Sequence, residues 1–321
     1  MKASSILRAG AAAMSLGVAA ASIAQSGKPI RIIVPFAPGG GQDILARSFN
    51  SELGAALGQT VIVEYRAGGG GGVGTAYVAR AEADGATLIM AAASHIISAV
   101  LSSKPAYHPI KDFTAVAHVG TGSQILMASS TLPVKSIGEF VTYVKAHPGK
   151  FNYGSAGSGS STHLAMAYFT NAAGLDIAHI PYKSNAEQNT ELLAGRIQAM
   201  MIPSIGAMSL SKDARVTLLA VTPAARSIFF PQLPTIAESG YAGFGYGSWF
   251  GLLGPAAIPR NLVERVNGEM AKLLKSPLIA ERLAKIGIEP LAMPSREFEK
   301  VLIEDLDRIE RIVKLSGAKA D

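Results

Sequence analysis

The chain reads as an α/β protein built on parallel sheets in two lobes, and three observations predict it. Short apolar runs rich in β-branched residues alternate about ten times with segments of helical period, the pattern of strands joined by crossover helices. Two of these runs open into loops of small residues that lead directly into a helix, one in each half of the chain. At 321 residues, with 49% hydrophobic and 16% charged side chains, there is core enough for one large or two medium domains. No Pro-, Ser- or charge-rich linker divides the chain, so the lobes are expected to be joined by extended crossing segments.

Residues 1–24 have the features of a signal peptide. Lys2 and Arg8 form a positive start, residues 9–21 an apolar stretch too short to span a bilayer, and Ser22-Ile23-Ala24 a small-x-small cleavage site before Gln25. No other apolar run reaches about 20 residues, so the mature protein is expected to be exported, not membrane-spanning, and periplasmic. Zero cysteines exclude a disulfide, a lipid on an N-terminal Cys, thiol catalysis and Cys-ligated zinc. The formal charge of +6 falls to +4 once Lys2 and Arg8 are removed. Its basic residues are scattered and the single Trp offers no aromatic interleaving, which argues against nucleic-acid binding.

The first strand holds Ile30, Ile32, Ile33 and Val34. Pro35 and Pro38 stop it, and Gly39, Gly40 and Gly41 let the backbone turn. Leu45, Phe49, Leu53 and Leu57 then recur every four residues on one helix face that Gly58 ends. A glycine-rich helix start exposes unpartnered N–H groups and the positive end of the helix dipole, a place for an anion. An ordinary β–α turn reads the same way. Asp43, in the first turn, is placed to accept from local N–H groups and hold the loop rather than to act as a base.

A strand over 60–65 leads into glycines 68–72 and a helix through Tyr77, Val78 and Ala81. Gly69-x-Gly71-x-x-Gly74 formally matches the dinucleotide fingerprint, but Ser94 and His95 stand where its acidic residue belongs, so the run reads as a flexible or tight loop. A strand over 87–93 ends in Ser94-His95, at the edge where open α/β folds hold ligands. Equally, Ser94 caps a short helix over 97–101 and His95 is a core histidine. Strands over 113–119 and 124–128 precede a helix bearing Ile137, Phe140, Val141 and Val144. The strand over 151–154 opens into a second loop, from Ser155 to His163, and then a helix marked by Leu164, Tyr168 and Phe169. Its hydroxyls at Ser158, Ser160, Ser161 and Thr162 exceed the one an N-cap needs, and with free N–H groups they can donate to a carboxylate.

Beyond it come strands over 177–182, 197–202, 216–221 and 247–253, with a helix through 189–193 and a short one over 235–239. Three helices follow, over 260–274, 278–286 and 295–315. Tyr182, Lys183 and Ser204 stand at strand ends, like His95, and are candidates for reading the remainder of a ligand. No Gly-x-Ser-x-Gly elbow, phosphate-binding Gly-x4-Gly-Lys loop or His-Glu-x-x-His is present, the six histidines lack metal-ligand spacing, and no cofactor or metal is implied. An exported α/β chain with two anion loops and no catalytic set points to a binding protein.

Four segments carry a resemblance. They are residues 34–43 (Val-Pro-Phe-Ala-Pro-Gly-Gly-Gly-Gln-Asp), residues 153–163, residues 181–184 with 191–195, and residues 220–222 through 234–240 to Trp249-Phe250-Gly251. In these the mature chain resembles, almost end to end, the periplasmic solute-binding receptors of the tripartite tricarboxylate transporter family, also called Bug receptors. The resemblance implies a type II periplasmic-binding-protein fold, with two Rossmann-like lobes and a ligand cleft between them. The first lobe would be discontinuous, 25–124 plus 250–321, and the second 125–249. A small carboxylate would be held by Phe36, Pro38, Gly39, Gly40, Gly41, Gln42 and Asp43 from one loop and by Ser158, Gly159, Ser160, Ser161 and Thr162 from the other. Ser94, His95, Tyr182, Lys183 and Ser204 complete the candidate set. The partners implied are one large and one small membrane protein, and the receptor is expected to be a monomer. Ser184, Glu187, Gln42 and Gln198 depart from the residues usual in the family, so no particular member's ligand carries over. A carboxylate sensor with a signalling partner and an exported enzyme are the alternative functions.

Overall fold

In the computed structural model, which describes residues 28–318, the first described element is strand β1 (Ile30–Val34). Ile30, Ile32 and Val34 pack on one side of it and Ile33 on the other, as in a strand covered on both faces. Helix α1 (Gly41–Leu57) lays Leu45, Phe49, Leu53 and Leu57 on the first of those faces and stops where Gly58 turns left-handed. The chain continues through β2 (Val61–Tyr65), α2 (Gly72–Ala79), β3 (Thr87–Ala92), α3 (Ser94–Leu101) and β4 (Phe113–Gly122). Next come β5 (Gln124–Ser129), α4 (Ile137–Lys145), β6 (Asn152–Ser155), α5 (Ser161–Ala173), β7 (Ala178–Pro181) and α6 (Asn185–Leu193). After them stand β8 (Ala199–Pro203), α7 (Ser204–Leu210), β9 (Val216–Val221) and β10 (Ser248–Pro255). The chain closes with α8 (Arg260–Lys275), α9 (Pro277–Lys285), β11 (Glu289–Pro290) and α10 (Ser295–Ser316). The signal-peptide assignment of residues 1–24 lies outside the described residues. Among these, no helix is long and apolar enough to cross a membrane.

The strands form two sheets, ordered β11-β4-β10-β3-β1-β2 and β7-β6-β8-β5-β9. Both are mixed, which corrects the parallel sheets expected from the alternation. β1 runs parallel to β2 and β3, and β6 runs parallel to β7 and β8. β10 is antiparallel to β3 and β4, and β5 is antiparallel to β8 and β9. β5 and β10 are the strands by which the chain enters a sheet after leaving the other, while β11, antiparallel to β4, is a short edge strand. The chain passes from β4 to β5 through the single residue Ser123 and returns between β9 and β10.

Side chains alternate between cores as strand geometry demands. On β10, Phe250 and Leu252 face the core under α1, α8 and α9, while Trp249 and Leu253 face a second core. That second core is continuous with the α5 face of β5, so it joins both sheets. α10 packs on β4 and on α5. Its Asp305 accepts from the Trp249 indole N–H at 2.7 Å and pairs with Arg308. The turn at residues 235–239 is not the short helix expected. Thr235 and Glu238 bond each other's backbone N–H as a capping pair does, but Gly240, at φ 102°, ends the segment after one turn.

Phe298 of α10 is fully buried, edge-on to both Trp249 and His118, at 5.4 and 5.1 Å between ring centroids. Phe298→Ala is expected to destabilise the chain by about 3–5 kcal/mol through lost transfer energy and the cavity left behind. Urea unfolding followed by emission of the single tryptophan, Trp249, measures it. An unchanged midpoint would mean that α10 adds nothing to the core.

Candidate functional site

The two loops singled out in the sequence meet. Phe36, Gly41 and Gln42 from the first, and Ala156, Ser160, Ser161 and Thr162 from the second, line one cleft with Ala92, Asn185, Pro203, Ser248 and Phe250. Three helices begin there. Gly41 is the first residue of α1, Ser161 of α5 and Asn185 of α6. α1 belongs with the first sheet, and α5 and α6 with the second. The lining holds no Lys, Arg, Asp or Glu, so only the helix starts and their N–H groups can draw an anion there. Its walls are the Phe36 and Phe250 rings. The free space is about 20 Å³, room for one water molecule.

Asp43 is spent on the loop itself. Its Oδ2 accepts from Gly39 N–H at 2.8 Å, and its Oδ1 accepts from Arg47 Nε at 2.7 Å and from the Tyr65 hydroxyl at 2.9 Å. Gly40, the N-cap of α1, has no side chain with which to cover the first N–H groups of that helix. Gln42 is buried and anchored by its Nε2, which donates to Met90 O at 2.9 Å. Pro38 and Gly39 are exposed and absent from the lining.

The second loop is braced in the same manner. Ser160 caps α5 by accepting from His163 N–H at 3.2 Å. The Thr162 hydroxyl accepts from Ala156 N–H at 2.9 Å and lies 3.1 Å from Ser160 Oγ. His163 Nδ1 accepts from Gly159 N–H at 3.2 Å, and its ring stacks on His179 at 4.1 Å. Ser155 Oγ meets His179 Nε2 at 2.6 Å. Two of the hydroxyls that looked surplus in the sequence therefore tie the loop. Ser161 lines the cleft and makes no side-chain hydrogen bond to the described residues. Ser158 and Gly159 face the other way, onto an open groove of about 980 Å³. That groove is not the candidate site: it borders no residue of the first loop, and of its four cations Lys28 and Arg31 face Glu82, Asp84 and Glu64 while Arg80 donates to Ala106 O.

The remaining candidates lie off the cleft. Ser94 and His95 fall in the first turn of α3, one residue after Ala93, the N-cap, and are buried. His95 Nε2 donates to Pro109 O at 2.8 Å, with Phe113 edge-on at 4.4 Å. Ser204 is wholly buried and donates to Gly287 O at 2.7 Å. Tyr182 lies half-buried with its ring over Gly154, and Lys183 is exposed. Strand ends placed these five near a sheet edge in the sequence, but the helix starts that follow turn them inward or outward. Asn185 was missed, although Ser184-x-x-Glu187 is a legible capping box: Ser184 Oγ accepts from Glu187 N–H at 3.2 Å, and Glu187 accepts from Lys183 N–H at 2.9 Å. Ser248 and Phe250 carried no local signal, since only the return crossing brings β10 to the cleft.

Residues 45–318 match the family model described as the tripartite tricarboxylate transporter family receptor. The Bordetella pertussis protein BugT is 31% identical over 91% of this chain and 90% of its own. Among solved structures, R. palustris Rpa4515 with adipate superposes with a TM-score of 0.87 at 30% identity, covering 91% of this chain and 98% of that one. MatC from Rhodopseudomonas palustris with bound malate gives 0.84 at 28% identity, covering 89% of this chain and 98% of that one.

Burial holds the His95 imidazole down at about 4, against an ordinary value of 6.5, and burial also lowers His118. Below 6.5 the unfolded chain takes up protons that folded His95 refuses. Its contribution is therefore whole above pH 6.5 and is lost as pH falls toward about 4, up to about 3 kcal/mol. His95→Gln is expected to flatten the fall in urea midpoint between about pH 7 and pH 4.5, leaving the His118 part. Identical pH profiles for the two chains would show that His95 does not control the acid limb.

Proposed function

The chain belongs to the tripartite tricarboxylate transporter receptor family, and from that premise we propose that it is a periplasmic receptor that closes two lobes on a small organic acid. Members of this family are receptors rather than enzymes. One observation carries the reading: helix starts from both sheets face a single cleft with no charged side chain in its lining. Such a site suits one carboxylate group. Each helix end contributes roughly 0.3–2 kcal/mol, and each bond from N–H or hydroxyl to the charged group about 1.5–3 kcal/mol. After ordering costs this reaches micromolar affinity, about −8 kcal/mol. Without a buried cation to part from, the acid is also released readily.

At about 20 Å³ the cleft is far below the roughly 300 Å³ of a ligand pocket, so the loops must separate for entry. Residues 25–124 with 250–321 would move against 125–249 about Ser123 and the return crossing. The acids named in the relatives' structures, adipate and malate, favour a short aliphatic dicarboxylate. Its second carboxylate would meet the Ser248 hydroxyl and the second amide N–H groups of Gln42 and Asn185, whose first go to Met90 O and Gln188 Oε1, rather than a cation. The loaded receptor then delivers its acid to one large and one small membrane protein.

Adipate, malate, citrate and terephthalate, with their amides as controls, are to be screened by thermal shift on ligand-stripped protein. An acid at 100 times its Kd adds about 2.7 kcal/mol and raises Tm by several degrees, while its amide does not. No shift from any acid would overturn the carboxylate reading.

Ser161→Ala should weaken the responding acid about 10- to 100-fold by titration calorimetry, the worth of one charge-assisted bond. Unchanged affinity would remove the second loop from the site.

A further inference from the structure

Gly70 is where loops of the two sheets meet backbone to backbone. It stands in the glycine run between β2 and α2, at φ 59°. A Cβ placed on it would lie 2.3 Å from Ser158 O, 2.6 Å from Gly159 C and 2.7 Å from Ser160 N. These are backbone atoms of the loop before α5, so no rotamer change relieves the clash. Ordinary contact begins near 3.4 Å, and the loops would have to part by about 1 Å. The seam continues on both sides. A Cβ on Gly157 would lie 3.6 Å from Gly70 N, and one on Gly159 would lie 3.5 Å from Ser98 Cβ.

The run therefore has another use than the phosphate cradle its spacing suggests. Gly74 passes Pro35 with no room for a side chain, Gly71 abuts the Phe36 ring, and Gly70 admits the opposite loop. The run touches both ligand loops yet lies outside the cleft lining.

We propose that Gly70 forms the closure seat of the receptor, the point on which residues 158–160 land when the lobes close, and that its missing side chain is what permits it. The seat rests on the two-lobe reading above. Residues 158 and 159 border the open groove and residues 160–162 the cleft, so seating the former aims the N–H and hydroxyl groups of the latter. Gly70 sets affinity without touching the ligand.

The chain has no cysteine, so a Ser98→Cys/Gly159→Cys pair gives a disulfide reporter without background. The 3.5 Å between its Cβ positions lies within disulfide range. Oxidation of the pair should be at least tenfold slower in Gly70→Ala. Gly69→Ala is the control: at φ 56° it suffers the same backbone strain, but its Cβ meets only Val73 Cγ2 at 4.0 Å, and it should oxidise at the parent rate. Without the reporter, adipate affinity should fall at least tenfold in Gly70→Ala and not in Gly69→Ala. Equal oxidation rates in the two alanine variants overturn the seat. The expected difference in oxidation, with neither adipate nor malate bound by the parent, upholds the seat and rejects the carboxylate reading. If Gly70→Ala does not melt cooperatively, Ser98→Leu crowds Gly159 from α3. X-ray scattering should then show a larger radius of gyration than the parent, and an equal radius overturns the seat.

Discussion

Thr222 ties the two crossings of the chain together. Its N–H donates to Gln124 O at 2.9 Å, its hydroxyl donates to Tyr246 O at 2.7 Å, and that same hydroxyl accepts from Gln124 N–H at 3.2 Å. Tyr246 N–H returns to Thr222 O at 2.9 Å. Beside this knot, Ser248 pairs with Gly122, and one residue, Ser123, separates β4 from β5. The first connection is one residue and the second runs over residues 222–247, and the bonds between them fix the two sheets edge to edge. Loops at the sheet edges then meet in one register, which a cleft shared by two sheets requires. Ser248 belongs both to the crossing and to the cleft lining, so the cleft adjoins the crossing.

Recognition by helix starts, in place of buried cations, has a structural cost that the loops meet locally. Open N–H groups hold their aim only if the surrounding backbone is fixed. Asp43 fixes the first loop through Gly39, Arg47 and Tyr65, while Ser160, Thr162 and His163 fix the second. Side chains that look like ligand donors in the sequence are thus largely the scaffold that leaves backbone donors exposed. This division lets Asp43 stand beside the proposed carboxylate site. Its charge is taken up by Arg47 and by two hydrogen-bond donors.

The departures from the usual family residues also find structural roles. Ser184 and Glu187 form the capping box that starts α6 and presents Asn185 to the cleft. Gln198 accepts from Asn152 N–H at 3.0 Å and donates to Gly195 O at 2.9 Å, bracing the start of β6. Gln42 spends its amide N–H on Met90. Of these positions, Gln42 alone lines the cleft.

The amino-acid sequence by itself determined the local units: β-branched runs, the Leu45-Phe49-Leu53-Leu57 face, Gly58 as a stop, and two loops whose glycines and hydroxyls mark helix starts. Those signals are local because hydrogen bonding within a turn and burial of one helix face depend on residues a few positions apart. Tertiary structure alone decided that both sheets are mixed, that Ser248 and Phe250 reach the cleft, and that His95 and Ser204 do not. Each of these depends on how two distant crossings pair, and no periodicity within β4 or β10 records its partner. The glycine run shows the same limit: its spacing announced a turn, but only the fold shows that Gly70 lies against Ser158.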